Sequence, residues 1–370
     1  MSQKESPELR PRRDVQKLLI SSASRLTGEL RLPGMLITPV SPGLRDRTAW
    51  IRMQEGATSR TAYVVSVRTR GWNDDELIIP TYDHLGDQIC AYLSLLFGKR
   101  FDFHGAVESS GYFGLPDLTA FGELCLSHLP QNSHSVRADF STPLLLTEAE
   151  RIAPLFFSPR VERHSDTLEG ASRFYWRALL SAESDPEASF LHLVTAGEIL
   201  ANGHEFSLDR LMDARMRNAL ERIERELEDG DEIAKLIRSQ MRRIRRRFVY
   251  TIADLTDEAF FARGEAAHAY VRLGASDFIR RMGAAYDLRS GLLHSGRTFG
   301  SVIAPRGVDN SEIQSGKPIV PDKGFARALA DSPTLVGLER IMRYALLRFA
   351  IQTGLILEAS PERSEAAAGE

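Results

Sequence analysis

The stretch of sequence that decides the fold is Tyr286-Asp287-Leu288-Arg289-Ser290-Gly291-Leu292-Leu293-His294-Ser295-Gly296. Its pattern predicts the last turns of a helix over about residues 277–295, because glycine is a common residue just past a helix end. The helix carries an arginine five positions before a histidine. A fixed positive charge and a group that titrates near neutral pH therefore lie close to its C-terminus.

The spacing of this pair carries little weight without its context. The 9 histidines and 41 arginines would give about one such spacing by chance, and the chain has a second pair, Arg263 and His268. Arg289, however, falls on the same helical stripe as a row of apolar residues, namely Phe278, Met282, Ala285 and Leu292. A buried charge needs an oppositely charged partner or a functional role, because burying an unpaired charge costs free energy. The context therefore favours Arg289 and His294.

The face beside that stripe is small and polar, and its residues are Gly283, Asp287, Ser290, Gly291 and His294. Such a face predicts that another backbone can approach closely. A cationic side chain is favoured beside the carbonyl groups of a helix end, which is where the pattern places His294.

Glu198 is a carboxylate on an apolar helix, four positions after Val194, so we expect it to be half-buried. Two interpretations remain open. It could pair with Arg289 and orient it, or it could form an ordinary ion pair with another arginine. We slightly favour the second.

A basic stretch places Arg238, Arg242 and Arg245 on one face of a predicted helix. This face could follow the phosphates of RNA. It could equally be a solvent-exposed face that balances the acidic residues of the preceding helix. We favour that interpretation because runs of charge are usually solvent-exposed faces.

The composition is that of an ordinary globular protein with 370 residues, 43% of them hydrophobic, and a net charge of −3. It provides no overall positive field for nucleic acid. Two cysteines without metal-ligand spacing, a polar N-terminus and the lack of a long apolar segment predict a cytoplasmic protein with no metal, no cofactor and no membrane span.

The first part of the chain, residues 1–145, predicts a small α+β domain. Short β-branched runs indicate strands at 35–40, 61–67 and 77–79, and Asp83 is expected to cap a helix. Residues 1–15 are expected to be loose, and residues 101–118 to form strand and loop. The histidines of this part are expected on the surface or in loops, and they are His84, His104, His128 and His134.

Residues 146–358 predict an all-α domain, followed by a disordered tail at 359–370. Helices are expected at about 148–155, 168–183, 208–228 and 231–252, and an Asp185-Pro186 start and an Asn202-Gly203 end define a central bundle helix. Residues 296–331 are predicted to be a long loop, functional or disordered. Pro333 begins a final helix with one apolar stripe.

The segment from Tyr286 to Gly296 resembles the signature of HEPN domains, in particular the ApeA-like group of prokaryotic defence proteins. Two further stretches, residues 172–180 and 190–200, look like that group's early helices. The resemblance covers about residues 150–358 and leaves the N-terminal part unexplained. It implies an all-helical bundle that pairs two-fold, with a composite site where the two motif helices meet.

The resemblance also implies a metal-independent endoribonuclease in which Arg289 and His294 are the catalytic pair and Ser290 is the polar neighbour. The expected partners are an RNA substrate and a second copy of the chain. A regulatory protein or a phage-derived trigger is left open as a further partner. Two other interpretations also stay open: a non-catalytic HEPN dimer that binds protein or RNA, because fold does not imply function, and a plain RNA-binding protein that uses the arginine-rich helix.

Overall fold

The computed structural model describes residues 14–41, 60–69, 82–123, 125–157, 162–204, 212, 214–240, 244–305 and 307–359. These residues form two compact units, which are treated separately below. The predicted order, an α+β part and then a mostly helical part, is confirmed.

The first unit is built on an antiparallel sheet with the strand order β2-β3-β4-β1-β5-β6. The strands are β1 (Val15–Ser22), β2 (Leu30–Leu32), β3 (Met35–Pro39), β4 (Thr61–Arg68), β5 (Phe101–Ser109) and β6 (Tyr112–Phe113). Helix α1 (Asp83–Phe97) packs on β5. The two elements meet so closely at Gly86 that an added Cβ would lie 2.3 Å from the Phe103 ring.

Strand β1 is the main element of this sheet that the sequence pattern did not reveal. It lies between β4 and β5, and Leu18 and Ile20 are fully buried. Its alternation is hidden because polar Gln16, Ser21 and Ser22 are buried, whereas apolar Val15 and Leu19 lie at half-buried positions. The strand predicted at 77–79 lies outside the described residues.

Two local predictions in this unit were wrong. Asp83 is the first residue of α1 rather than its cap, which is Tyr82. His104 is buried rather than on the surface or in a loop: its Nε2 lies 2.8 Å from Ser21 Oγ and its Nδ1 lies 2.6 Å from the Asp117 carbonyl oxygen. Burial lowers the pKa of His104.

In the structure the first unit extends past residue 145 to residue 157 and also includes residues 354–359. The reason is local packing. The 3-10 turn Leu146–Ile152 contacts β2 and α1, and the Phe156 ring, in the short helix α2 (Pro154–Phe157), lies 5.6 Å from Tyr92. Arg151 donates from Nε to the Leu357 carbonyl at 2.8 Å, which holds the chain's last described residues in this unit.

The second unit is helical. Its elements are α3 (Glu162–Ser181), α4 (Pro186–Gly203), α5 (Ala214–Glu226), α6 (Gly230–Gln240), α7 (Ile244–Asp254), α8 (Glu258–Ala262), α9 (Phe278–Ser295), α10 (Gly300–Ile303), α11 (Lys323–Asp331) and α12 (Leu335–Gln352). The charged stretch predicted as one helix at 231–252 is described as two helices, α6 and α7, and residues 241–243 between them lie outside the described part.

Helix α4 is the central helix that the sequence predicted. Asp185 accepts a hydrogen bond from the Ala188 amide at 3.0 Å, Pro186 opens the helix, and the helix ends at Gly203. It contacts α3, α7, α9 and α12. At Gly197 the approach of α7 is so close that a Cβ would lie 2.5 Å from the Phe248 ring.

The predicted long loop at 296–331 contains structure. It includes α10 and α11, and between them Glu312 is fully buried. Glu312 pairs with Arg340 of α12 at 3.1 Å, so α12 buries charges as well as the predicted apolar stripe. The composition of the loop concealed this because the partner lies far away in the sequence.

None of the described helices combines the length and the apolar character that crossing a membrane requires.

Candidate functional site

Helix α9 carries the arginine and histidine, and it ends where the sequence predicted. Gly296 has a φ of 62°, and its amide donates to the Leu292 carbonyl at 2.9 Å. The amide of Arg297 also reaches back to the Gly291 carbonyl at 3.5 Å, and the bond from Gly296 to Leu292 is that of the left-handed glycine (αL) motif. His294 therefore lies in the last turn of the helix.

The buried side of α9 includes an apolar row of Phe278, Met282, Ala285 and Leu288. Leu288 is buried in place of the predicted Leu292, which is only half-buried. Arg289 lies at the margin of this stripe, and its side chain keeps 20% of its exposure. The charge is thus at the edge of the core rather than inside it.

Glu198 of α4 is the partner of Arg289. Arg289 donates from Nη2 to Glu198 Oε2 at 2.8 Å, and both side chains are largely buried, at 20% and 14% exposure. The pairing that we slightly favoured, with another arginine, is therefore not the one that forms. Glu198 and Arg289 are 91 residues apart, so no local pattern could reveal their contact.

Tyr286 is a third member of this group, and the sequence interpretation missed it. Its hydroxyl hydrogen-bonds to Glu198, and the Arg289 guanidinium carbon lies 5.8 Å from its ring centroid. The Tyr286 ring also packs against Phe248 of α7 at 5.6 Å. Its position one turn before Arg289 on the same helix was the available signal.

Burial dominates the electrostatics of this group. It raises the pKa of Glu198, and the attraction of Arg289 and the hydrogen bond from Tyr286 offset only part of the rise. Burial also raises the pKa of Tyr286, and the neighbouring Glu198 charge adds to that rise. The Nε of Arg289 is buried and has no hydrogen-bond partner among the described residues. The guanidinium thus keeps a donor that the described protein does not satisfy.

The polar face of α9 is partly covered by Arg245 of α7. Arg245 donates to both carboxylate oxygens of Asp287, at 2.7 and 2.8 Å. This hydrogen bond raises the pKa of Arg245. At Gly283 the close neighbour is the Arg245 guanidinium, 2.7 Å from an added Cβ, so a side chain rather than the predicted backbone approaches there.

Arg245 is the member of the predicted basic face whose surroundings are known. It pairs with the motif helix rather than with acids of the preceding helix, and about half of its side chain is exposed. Arg242 and the side chain of Arg238 lie outside what the structure describes.

Beyond Asp287 the described part of the chain leaves the polar face of α9 open. An added Cβ at Gly291 would meet no described residue within 4 Å, and His294 is exposed. Ser290 and His294 are four residues apart and share this face. Arg289 and His294 are five residues apart, so they point about 140° apart around the helix axis. One helix therefore does not bring the two together by itself.

The rival pair has a different environment. His268 is exposed and its ring stacks on Tyr270 at 5.5 Å, near a 3-10 turn at Ala269–Val271. Arg263 lies just beyond the end of α8. Since neither residue lies on a long helix, this pair offers no framework comparable to α9.

Among the described residues no cluster of three or more histidine, cysteine, aspartate or glutamate side chains could hold a metal ion. Comparison of the chain with protein-family models, curated proteins and solved structures found no match.

Proposed function

We propose that the chain is a metal-independent endoribonuclease of HEPN type, active as a homodimer, with a role in prokaryotic antiviral or toxin-like defence. The observation that carries this proposal is the arrangement of α9. Glu198 and Tyr286 hold Arg289 at the margin of the core, and His294 stands exposed in the last helical turn beside an open face. The defence role rests on the resemblance to the ApeA-like group.

The proposed homodimer comes from the family resemblance, and the geometry of α9 supports it. Because Arg289 and His294 point about 140° apart, a second copy of α9 is needed to supply facing groups. The open surface at Gly291 would let that copy approach. The proposal requires that two histidines and two arginines then line one cleft.

The chemistry assigned to these groups is transesterification at the RNA backbone. The ribose 2′-oxygen forms a bond to the adjacent phosphorus, and the bond from phosphorus to the 5′-oxygen breaks. One His294 accepts the 2′-hydroxyl proton, and the other, protonated, gives a proton to the leaving 5′-oxygen. Arg289 stabilises charge on the phosphate oxygens. The products are a 2′,3′-cyclic phosphate and a free 5′-hydroxyl.

The test uses the full-length protein with mixed RNA in the presence of EDTA. His294→Ala should reduce cleavage by about 100-fold or more, the usual contribution of a general acid or base. The matched control is His268→Ala, which removes an exposed histidine with the same arginine spacing. Cleavage that is absent in the wild type, or equal in both variants, would refute the proposal.

A non-catalytic HEPN dimer is the second candidate, and one observation favours it. The Nη2 of Arg289 is already engaged by Glu198, as an arginine with a purely structural task would be. RNA binding without cutting would support this candidate. If Arg242→Ala combined with Arg245→Ala then abolished binding, the plain RNA-binding interpretation would stand instead.

A further inference from the structure

A largely open surface cavity of about 410 Å³ lies in the helical unit just beyond the end of the motif helix. Its volume falls in the range of small-molecule sites, about 300–1,000 Å³. It is lined by two stretches, residues 184–187 at the start of α4 and residues 298–301 at the start of α10, together with Ala304. Nothing in the chemistry assigned to Arg289 and His294 uses it.

The polar groups of this lining are mainly acceptors. Asp185 and Glu187 contribute carboxylates, and Ser184, Thr298 and Ser301 contribute hydroxyls. Among the described residues, no lysine or arginine lines the cavity. The two carboxylates therefore favour a ligand edge that is rich in N–H groups.

Each carboxylate has spare acceptor capacity. Asp185 uses Oδ1 to cap α4, accepting from the Ala188 amide. Glu187 uses Oε1 for the amides of Phe299 and Gly300, the latter at 2.6 Å. These bonds fix both side chains at the cavity. Since a carboxylate offers about four acceptor sites, each group can accept further hydrogen bonds from a ligand.

The cavity is close to the proposed catalytic histidine. Thr298 is four residues after His294, so their Cα atoms are at most about 14 Å apart, given about 3.3–3.6 Å per extended residue. The turn at Gly296 shortens this path. A strand of RNA whose backbone lies at His294 can thus place a neighbouring base at the cavity.

We infer that this cavity binds a guanine base of single-stranded RNA next to the cleavage position. Guanine offers two adjacent donors on its Watson–Crick edge, N1–H and N2–H, which one carboxylate accepts together. Adenine, cytosine and uracil each present an acceptor beside their donor, which a carboxylate repels. Proteins that select single-stranded RNA commonly read such edges. This inference rests on the proposed function for the identity of the ligand.

The test measures binding of the four nucleoside 5′-monophosphates to the full-length protein by calorimetry, so it needs no cleavage. GMP should bind about tenfold or more tightly than AMP, CMP and UMP, the discrimination of a good bidentate contact. The variant Asp185→Asn/Glu187→Gln should lose this preference. It keeps the side-chain carbonyl oxygens that cap the backbone, because asparagine caps helices about as well as aspartate.

The matched control is Glu183→Gln, which removes a nearby carboxylate that does not line the cavity. It should retain the preference for GMP. Equal binding of all four nucleotides, no binding of any, or a GMP preference that survives in the double variant would overturn the inference. GMP selectivity in a protein that cuts no RNA would uphold the cavity assignment and refute the nuclease.

Discussion

At the scale of single residues, Arg289 is fixed by an ion pair and yet keeps an unsatisfied hydrogen-bond donor among the described residues. Glu198 holds it in place, yet the Nε remains buried without a hydrogen bond among the described residues. A catalytic arginine benefits from such a fixed position because less ordering is left for the moment of reaction. The Tyr286 ring limits its movement on the other side.

Replacing Arg289 by methionine should lower the free energy of unfolding by about 1–3 kcal/mol, because the Glu198 carboxylate would stay buried without its partner. Adding Glu198→Leu to this variant should restore most of the loss, since an apolar pair of similar size avoids the burial of charge. Urea denaturation measures both values. A double variant less stable than Arg289→Met would contradict this account.

The loss in Arg289→Met should depend on pH with a defined sign. Burial already raises the pKa of Glu198 above its unfolded value, and removing Arg289 raises it further. The folded state then holds the proton more tightly than the unfolded state, so stability from this group is present at low pH and is lost as pH rises through the folded pKa. The deficit against wild type should therefore shrink on acidification. A deficit that grows in acid would exclude Glu198 as its source.

At the scale of elements, two glycines of α9 have opposite requirements. Gly296 adopts a positive φ of 62°, whereas Gly291 lies in the helix with open space around it. Gly296→Ala should destabilise the protein by about 1 kcal/mol, the cost of a left-handed conformation for alanine. Gly291→Ala should stabilise it by about 0.5–1 kcal/mol. Thermal unfolding of the two variants compares them directly.

The Gly291→Ala and Gly296→Ala variants also distinguish effects on folding from effects on the association of two chains. If the open face at Gly291 contacts a second copy, Gly291→Ala should weaken the dimer while it stabilises the helix. Sedimentation measurements would show the shift toward monomer. A more stable protein with an unchanged assembly state would mean that the face at Gly291 is not the dimer contact.

Elements marked by local signals were the predictable ones. The Asp185-Pro186 start and Gly203 end fixed α4, and Gly296 fixed the end of α9, because capping depends on residues within one turn. Strand β1 was not predicted because its buried residues include polar Gln16, Ser21 and Ser22, so apolar and polar residues do not alternate clearly along it. In the site, the position of His294 followed from the helix end, whereas the contact of Glu198 with Arg289 depends on tertiary packing and did not.

At the scale of the folded helical unit, Glu312 organises the segment between α9 and α12. It is fully buried, pairs with Arg340, and accepts the amides of Glu265 at 2.7 Å and Leu273 at 2.8 Å. Arg340 in turn lies over the Phe260 ring at 3.9 Å. One carboxylate therefore joins four parts of the chain that are distant in sequence.

Replacing Glu312 by alanine should lower the free energy of unfolding by about 3–5 kcal/mol, because Arg340 would remain as a buried unpaired charge. Hydrogen exchange at the Leu273 amide should accelerate, since that amide loses its acceptor. Glu226→Ala is the control, because its pair with Arg222 is solvent-exposed and should contribute little. Equal effects of the two substitutions would show that the buried pair has no special role.

Glu187 affects the whole helical unit because it contacts two parts of it at once. The carboxylate that lines the cavity also accepts hydrogen bonds from the Phe299 and Gly300 amides, just after the motif helix. By thermodynamic reciprocity, a ligand that strengthens these hydrogen bonds is itself bound more tightly when the segment after His294 is ordered. The two effects have the same free energy. If RNA binds at the cavity as we infer, filling the cavity and ordering the segment that follows His294 would be one coupled equilibrium.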